Sequence, residues 1–404
     1  MIDWGRWPWS RKSSIDAIVA NLRELDLADA GVAVNWRTAL QASTAFACGR
    51  VISQGLAQVP LKLYRKRADG RGSDPATDHR WYDPTHAAPN AWQTSYEWRE
   101  TMGLHLVFAG NAYSVQVGSD SIWELLPFEP ATVATERKGY EIVYKVRTGE
   151  GSSQLIGADK MLHIRGPSWN TWQGLDGVRL AKEAIGLAMA LEQHGARYFK
   201  NGASLGGILT TDAMPKEQER KALREAWQEQ QGGIVNAYKT AFLWGGVKWT
   251  GMTSDNERSQ FVEARRNQVE EVCRAIGVLP IMVGYSDKTA TYASAEQMFL
   301  AHLVHTMGPL YQRIEQALNC QLLSREERAQ GLYFKHSVAG LLRGAHKDRA
   351  EFYRTMREIG VMNANEIREK EEMNPYDGGD DYFMPLNFAP IDSKRDGAAG
   401  DNST

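Results

Sequence analysis

Residues 254 to 322 carry two helical patterns separated by a loop, and this stretch constrains the fold more than any other. Ser254 and Glu257 have the spacing of a capping box, in which each side chain satisfies a free backbone N–H of the other residue. Apolar residues then recur along one helical face: Phe261, Val262, Val269, Val272, Cys273 and Ile276. Charged residues occupy the other faces: Glu257, Arg258, Glu263, Arg265, Arg266, Glu270, Glu271 and Arg274. The pattern predicts a helix that packs on one side, ends at Gly277 and pairs Glu270 with Arg274.

The loop from Val278 to Tyr292 has Asp287 and Lys288 as its charged residues. Its Gly, Pro, Ser and Thr content predicts an exposed loop. A second helix is predicted from about Ser294 to Leu322, which at 1.5 Å per residue is roughly 40 Å long. Because Gly308-Pro309 interrupts this pattern, we expect a kink there.

The composition limits the class of protein. Lys and Arg number 47 against 49 Asp and Glu, so the chain lacks the basic surplus with which proteins grip nucleic-acid phosphates. With 404 residues and 43% hydrophobic content it can bury a core in two or three packed units. Cys48, Cys273 and Cys320 lie in apolar helical contexts, which predicts buried thiols in a reducing compartment. We predict neither a secretory signal in residues 1–10 nor a membrane-spanning helix.

The rest of the chain predicts an α+β fold. The first 170 or so residues combine a helix over Thr38–Gln58, a helix capped by Thr94 and Glu97, and several alternating strands. A helix from Gly177 to Lys200 is apolar on several faces, which predicts burial in a core or against a neighbouring copy. A strand-helix-strand module then separates it from the helix that begins near Ser254.

Two motifs suggest chemistry without the context that the chemistry requires. Residues 202–206, Gly-Ala-Ser-Leu-Gly, match the nucleophile elbow of serine hydrolases, but there a strand enters the serine and a helix leaves it, whereas here the order is reversed. His302 and His305 lie three apart on a helix, yet no Cys or His cluster accompanies them to complete a metal site. We therefore predict a non-enzymatic protein without metal or cofactor. A serine hydrolase using Ser204 is the enzyme alternative.

Several short motifs follow one another from about Thr44 to Asp380. They are Thr44-Ala45-Phe46-Ala47-Cys48, Val51-Ile52, Pro60-Leu61, Leu63-Tyr64, Pro89-Asn90, Gly110-Asn111-Ala112-Tyr113, His163-Ile164-Arg165, Phe199-Lys200-Asn201-Gly202-Ala203, Ile276-Gly277-Val278, Tyr292-Ala293-Ser294-Ala295-Glu296, Pro309, Gly360 and Asn365-Glu366-Ile367-Arg368. In this order and spacing they resemble the portal proteins of tailed bacteriophages of the HK97 type and of related gene-transfer particles. The chain departs from the family at Ile276, Leu279 and Asn363, where phenylalanine, proline and threonine are frequent. The first two lie at the entrance to the loop, and Asn363 keeps the capping role.

The resemblance implies a portal fold with a wing, a two-helix stem, an inserted α/β clip, a kinked long helix and a helical crown. The implied regions are 1–175 for the N-terminal part of the wing, 176–202 for the first stem helix, 203–252 for the clip, 253–277 for the second stem helix, 278–292 for a tunnel loop, 293–342 for the long kinked helix and the C-terminal part of the wing, 343–376 for the crown and 377–404 for a largely disordered tail.

The implied function is that of a head-tail connector: a dodecameric ring at one capsid vertex, through which DNA enters during packaging and leaves during ejection. The implied partners are other copies of the chain, double-stranded DNA, the terminase large subunit, a head-tail adaptor and the major capsid protein or scaffold. The location would be the portal vertex of the virion, after assembly in the host cytoplasm. Another ring-forming connector or tail protein is an alternative, which the inserted module and the kinked helix argue against.

The resemblance also assigns candidate residues. Those of the tunnel loop are Val283, Tyr285, Ser286, Asp287, Lys288, Thr289 and Thr291. Those of the second stem helix are Arg258, Glu263, Arg265, Arg266, Glu270 and Arg274, and the kink is placed at Gly308 and Pro309. Lys288 on an otherwise nearly uncharged loop would give a ring one sparse set of positive charges, which suits DNA that must slide.

Overall fold

The structure is a computed structural model of the chain. It describes residues 27–68, 72–119, 122–147, 152–200, 207–210, 216–231, 248–251, 255–285, 292–338, 346–371 and 373–383. The chain divides into two compact units, Met1–His336 and Ser337–Thr404. Within the described ranges, none of the helices combines the length and the apolar character that a membrane crossing requires.

Helices and strands alternate along the first unit and helices follow in the second. The α-helices of the described residues are α1 (Trp36–Ala39), α2 (Ser43–Ala57), α3 (Tyr82–His86), α4 (Ser95–Ala109), α5 (Gly177–Leu180), α6 (Lys182–Lys200), α7 (Glu217–Gln231), α8 (Asp255–Ile276), α9 (Tyr292–His302), α10 (Gly308–Gln321), α11 (Arg325–Ala329), α12 (His346–Glu358) and α13 (Ala364–Lys370). The strands are β1 (Leu61–Lys66), β2 (Ser73–Pro75), β3 (Asn111–Ser119), β4 (Ile122–Phe128), β5 (Val133–Lys138), β6 (Glu141–Arg147), β7 (Ser153–Gly157), β8 (Met161–Arg165), β9 (Gly207–Thr210), β10 (Lys248–Gly251) and β11 (Leu332–His336).

Helices α2 and α4 of the first unit pack closely against each other. The predicted capping box of α4 is confirmed, because Thr94 and Glu97 each accept the other's backbone N–H, and the helix ends at Gly110 in the left-handed conformation. At Gly103 a Cβ atom would lie 2.9 Å from the Cα atom of Ser53, so the absence of a side chain lets the helices approach. The buried Arg99 guanidinium donates 2.8 Å to the Ala57 carbonyl oxygen and so satisfies an unpaired acceptor at the end of α2.

Two predicted helices are each divided in the structure. The expected helix over Thr38–Gln58 is wrong at its start, because α1 ends at Ala39 and Ala42 has extended backbone angles before α2 begins. The expected helix from Gly177 to Lys200 has a break at Ala181, whose ψ of 11° lies outside the helical range. Both breaks fall at small buried residues, Ala42 and Ala181, which pack into the same apolar cluster as Val34 and Ile185. Tertiary packing therefore overrides the continuous helical pattern there.

The sheets are small and antiparallel. Three of them have the orders β11-β1-β2, β4-β3-β8 and β5-β6-β7, and β9 pairs with β10 in a fourth. In the first sheet β11 pairs with β1, with Leu63 opposite Phe334. A strand that follows α10 and α11 in sequence therefore pairs with a strand from the N-terminal part of the chain. The mixed α+β class predicted from the sequence is confirmed.

A buried hydrogen-bond network joins the second sheet to the loop that follows it. The Asn111 side-chain oxygen accepts from the Gly174 N–H at 2.7 Å and from His163 Nε2 at 3.0 Å. The Tyr144 hydroxyl lies 3.1 Å from His163 Nδ1. Because the Asn111 oxygen can only accept, Nε2 of His163 carries a proton, and in the neutral ring Nδ1 then accepts from the Tyr144 hydroxyl. Burial, assisted by the charge of Arg165, lowers the pKa of His163 to about 3.

Strand β8 lies at a sheet edge, and α10 covers that edge. The Gln321 side chain accepts from the His163 backbone N–H at 2.8 Å and donates to the His163 carbonyl oxygen at 3.0 Å. Arg313 donates to the carbonyl oxygens of Arg165 and Gly166 at 2.9 and 3.0 Å. These side chains therefore satisfy the edge groups that another strand would otherwise pair with.

The second unit contains α12 and α13. Helix α12 is followed by Gly360 in the left-handed conformation, as the sequence predicts. The predicted capping box at Asn363 and Glu366 is confirmed by reciprocal side-chain hydrogen bonds of 2.8 and 2.9 Å. The Asn365 side chain then holds the returning chain, donating to the Tyr376 carbonyl oxygen and accepting the Tyr376 N–H, both at 3.0 Å.

Candidate functional site

Helix α8 carries the predicted charged face. Glu263, Arg265 and Arg266 are exposed, as is Arg274, and Glu270 is half-buried. Arg258 lies within the helix, and the predicted cap Ser254 lies outside the described residues. The expected pair of Glu270 with Arg274 is wrong, because Arg274 pairs with Glu271, three residues before it. Glu270 and Glu271 lie four and three residues before Arg274, so both neighbour it on the helix surface. The Arg274–Glu271 pair is exposed and contributes little to stability.

The opposite face of α8 packs against α6. Gln268 is buried and donates from Nε2 to the backbone carbonyl oxygen of Ala184 at 2.6 Å. Nearer the start of the helix, the rings of Phe261 and His194 lie 5.3 Å apart. The two helices that the sequence proposes as a stem therefore contact each other directly. Sequence reasoning missed Gln268, since its partner is a backbone atom 84 residues away.

The end of α8 packs against α2. Cys273 and Cys48 are fully buried, and their Sγ atoms lie 3.6 Å apart within an apolar cluster that includes Ile52, Val278 and, on α10, Leu310. The hydrogen bond with Cys273, together with burial, raises the pKa of Cys48, and the same hydrogen bond lowers the pKa of Cys273. Either sulfur can be the donor of this contact. The prediction of buried thiols is confirmed for these two and is wrong for Cys320, which is exposed.

A glycine turn ends α8 and leads into the loop. Gly277 has a φ of 85°, and the N–H groups of Gly277 and Val278 both donate to the Cys273 carbonyl oxygen, at 2.8 and 2.9 Å. Val278 is buried and Pro280–Val283 forms a 3₁₀-helix, which Tyr285 closes by donating to the Pro280 carbonyl oxygen at 3.1 Å. The expectation of an exposed loop is thus wrong over 278–285, because its apolar side chains pack into the cluster below it.

Of the candidate loop residues, Val283 and Tyr285 are half-buried in this turn. The remaining five lie outside the described residues: Ser286, Asp287, Lys288, Thr289 and Thr291. The alternative nucleophile Ser204 also lies outside them.

The long helix is interrupted before its proline. Residues Leu303–Met307 form a π-helical segment, in which the Gly308 N–H donates to the Leu303 carbonyl oxygen five residues back. Pro309 lacks an N–H and its ring crowds the preceding turn, which favours a wider turn at this place. The Thr306 hydroxyl donates to the Gly277 carbonyl oxygen at 2.9 Å. Gly308 and Pro309 thus mark the end of the interruption, which begins one turn earlier than predicted.

The two histidines of this helix have different surroundings. His302 is 3% exposed, and neither of its ring nitrogens has a hydrogen-bond partner among the residues that the structure describes, whereas His305 is exposed. Burial lowers the pKa of His302. Among the residues that the structure describes, no group of three potential metal ligands is close enough to hold an ion. The site therefore consists of a helix end, a folded turn and a π-helical segment, which are held together by apolar contacts and by the hydrogen bond from Thr306 to Gly277.

Comparison with known proteins assigns this fold. The family model described as phage portal protein matches residues 43–372. The chain is 29% identical to the portal protein of Enterobacteria phage HK97 over 89% of this chain and 85% of that protein. It is also 29% identical to the probable portal protein of Streptomyces phage phiC31, over 90% of this chain and 82% of that protein.

Solved structures agree on the fold. An HK97-family phage portal protein from Corynebacterium diphtheriae aligns with a TM-score of 0.57 at 18% identity, over 78% of this chain and 99% of that one. A chain from the neck of an empty gene-transfer-agent particle, computed with C6 symmetry, aligns with a TM-score of 0.58 at 22% identity, over 84% and 93% of the two chains. The fold is that of the HK97-type portals. The chain belongs to the phage portal protein family, and its role is that of a portal protein.

Proposed function

We propose that the chain forms a closed ring around a DNA channel at one vertex of a viral capsid. The observation that carries this proposal is the apolar surface left on the paired helices. Leu180 precedes α6 on α5 and is 70% exposed, Leu187 on α6 is 46% exposed and Val262 on α8 is 53% exposed, although α6 and α8 already pack together. A head-to-tail ring buries two different faces of each subunit, which accounts for apolar residues that one chain leaves uncovered.

The regions of the portal fold are assigned as the sequence suggests. Residues 1–175 with 293–342 form the wing, and the helices within 176–202 and 253–277 form the stem. Residues 203–252 form the clip, 278–292 the tunnel loop and 343–376 the crown. The pairing of β11 with β1 supports a wing made from two distant segments. The contact between Gln268 and Ala184 supports a stem of two helices.

The tunnel loop works from a fixed base. The turn at 277–285 is held by the Cys273 carbonyl oxygen, by Thr306 and by the apolar cluster around Val278. A loop anchored at such a base can change conformation without disturbing the ring. Lys288, which belongs to the loop sequence, meets the DNA phosphates as a sparse ring of charge that slows or retains DNA without clamping it.

The partners follow from this arrangement. Twelve copies of the chain form the ring, in agreement with the C12 symmetry named for a related neck structure. Double-stranded DNA passes through the channel, and the clip docks the terminase large subunit during packaging and a head-tail adaptor afterwards. The major capsid protein or its scaffold surrounds the wing. The protein has no enzymatic activity of its own, and the motor that moves DNA is supplied by the terminase.

Electron microscopy of the purified full chain tests the ring. We expect closed rings with a central hole. Replacing Leu180 and Leu187 by glutamate should abolish them, because charge would be buried between copies. Tyr140→Glu is the matched control, since Tyr140 is fully exposed in the turn between β5 and β6 and its replacement should leave rings intact. A wild-type chain that stays monomeric at the concentrations of assembly would overturn the proposal.

A second experiment addresses the loop. Lys288→Ala should leave the rings intact and change the amount of DNA packaged, or retained after packaging, in an in vitro assay with heads and terminase. Lys145→Ala at an exposed position of β6, outside both the loop and the clip, is the control for loss of a lysine. Loss of the ring in Lys288→Ala would count against a role confined to the loop, and unchanged packaging and retention would remove Lys288 from the channel.

A further inference from the structure

The two sulfur atoms of Cys48 and Cys273 form a contact that the portal function does not use. They come from helices 225 residues apart in sequence, lie 3.6 Å from each other and are fully buried. Cys320, on the exposed side of α10, is the remaining cysteine of the chain. A contact between two thiols on separate helices is the starting arrangement for a covalent link.

The geometry requires little movement to form that link. A disulfide has an S–S distance of about 2.05 Å, so the two sulfur atoms, now 3.6 Å apart, must close by roughly 1.5 Å. The pair sits in a cluster with Ile52, Val278 and Met282, which keeps bulky thiol reagents away from it. A small neutral oxidant is the chemical class suited to reach the pair in the folded protein.

We propose that Cys48 and Cys273 are a redox modification site that hydrogen peroxide converts to an intramolecular disulfide. The Cys273 thiol releases its proton and its sulfur attacks one peroxide oxygen. The O–O bond breaks, the leaving hydroxide takes up that proton and becomes water, and Cys273 becomes a sulfenic acid. The Cys48 sulfur then attacks the Cys273 sulfur, the S–S bond forms and the sulfenic oxygen leaves as water with the Cys48 proton. Two thiols lose two electrons and one peroxide becomes two molecules of water.

The link would join the end of α8 to α2. Cys273 also supplies the carbonyl oxygen that holds Gly277 and Val278, so oxidation would fix the base of the following loop to α2. A particle that leaves a reducing cell for an oxidising medium would acquire this link after assembly. The chemistry of the pair depends on the fold alone and not on the proposed ring.

The test uses the full chain with Cys320→Ser, which removes the exposed thiol. The folded protein is treated with hydrogen peroxide, quenched, unfolded, alkylated and digested with trypsin. We expect most chains to yield a linked species of peptides 38–50 and 267–274, lighter by two hydrogen atoms than their sum. The same sample should migrate faster on a non-reducing gel and unfold at higher urea concentration, and a reductant should reverse both changes.

Cys48→Ala in the same background is the matched control, and peroxide should produce neither the linked peptide nor the shifts in that variant. The Cys320→Ser chain tests the proposal even if that control folds poorly, because it retains both thiols. Two results would overturn the proposal. In the first, both peptides are recovered as free alkylated thiols at peroxide doses that fully oxidise Cys320 in the wild type. In the second, Cys48 or Cys273 becomes a sulfinic acid and no linked peptide forms.

Discussion

The Thr306 hydroxyl donates a hydrogen bond of 2.9 Å to the backbone carbonyl oxygen of Gly277. Thr306 belongs to the π-helical segment of the long helix, and Gly277 is the left-handed residue at which α8 turns into the loop. A helix end has carbonyl groups without helical partners, and here a distant side chain supplies one. The irregular turn before Pro309 thus places the hydroxyl where the loop begins.

Thr306→Val should lower the free energy of unfolding by about 0.5–1 kcal/mol, because it removes this partly solvated hydrogen bond and keeps the shape of the side chain. Urea unfolding monitored by tryptophan fluorescence measures the change at matched protein concentration. Thr306→Ser is the control, since it retains the hydroxyl and should lose less. Equal stability of the valine variant and the wild type would show that the bond contributes nothing.

Gln321→Ala should lower the free energy of unfolding by about 1–3 kcal/mol, because it leaves the backbone N–H and carbonyl groups of His163 without partners at the edge of a sheet. Hydrogen exchange offers the more direct measurement, and the His163 amide should exchange faster in the variant. Gln316→Ala on an exposed position of the same helix is the control and should change neither quantity. Unaltered protection of the His163 amide would mean that Gln321 does not hold the edge.

Local signals predicted the parts of this fold that depend on neighbours in sequence. The capping boxes at Thr94 and Asn363 and the glycine stop at Gly277 involve residues three or four apart, so the pattern alone contains the contact. Gln268 and Gln321 were not predicted, because each bonds a backbone group 84 or 158 residues away. An amide side chain on a helix gives no sign of which distant backbone it will meet.

The same reasoning explains the errors at the site. The apolar helical contexts of Cys48 and Cys273 indicated burial but could not indicate contact, since that requires the two helices to pack in one particular register. Pro309 predicted that the helix is interrupted. The interruption begins one turn before Pro309, because the Gly308 N–H donates to the carbonyl oxygen of Leu303, five residues back. A loop with few charges was expected to be exposed, but Val278 and Met282 are apolar enough to fold back onto the cluster.

His302→Leu should raise the free energy of unfolding by about 1 kcal/mol or more. The imidazole is buried, and within the described part of the chain neither of its nitrogens has a hydrogen-bond partner. A buried polar group without a hydrogen bond costs about 1–3 kcal/mol. Leucine fills a similar volume without that cost. His305→Leu, at an exposed position of the same helix, is the control and should leave stability nearly unchanged. A less stable His302→Leu protein would show that the imidazole has a polar partner in solution.

The stability of the first unit should fall as the pH drops below about 6.5, because buried histidines stay neutral when folded. Burial lowers the pKa of His163 to about 3 and that of His105 to about 4, whereas the ordinary pKa of a solvent-exposed histidine is 6.5. Between those values and pH 6.5 the unfolded chain binds protons that the folded chain does not. The stabilisation is therefore complete above pH 6.5 and is lost towards pH 3, with a slope of up to about 1.4 kcal/mol per pH unit for each group.

Urea unfolding at intervals from pH 7.5 to 4.5 measures this slope in a range where most carboxylates remain ionised. His163→Gln removes one of the titrating groups, so its stability should depend less steeply on pH than that of the wild type, although its stability at pH 7.5 is also lower because the bonds to Asn111 and Tyr144 change. His305→Gln, at an exposed position, should reproduce the wild-type slope. If the slope is the same in His163→Gln and the wild type, His163 does not remain neutral in the folded protein, and its place between Asn111 and Tyr144 must be reassigned.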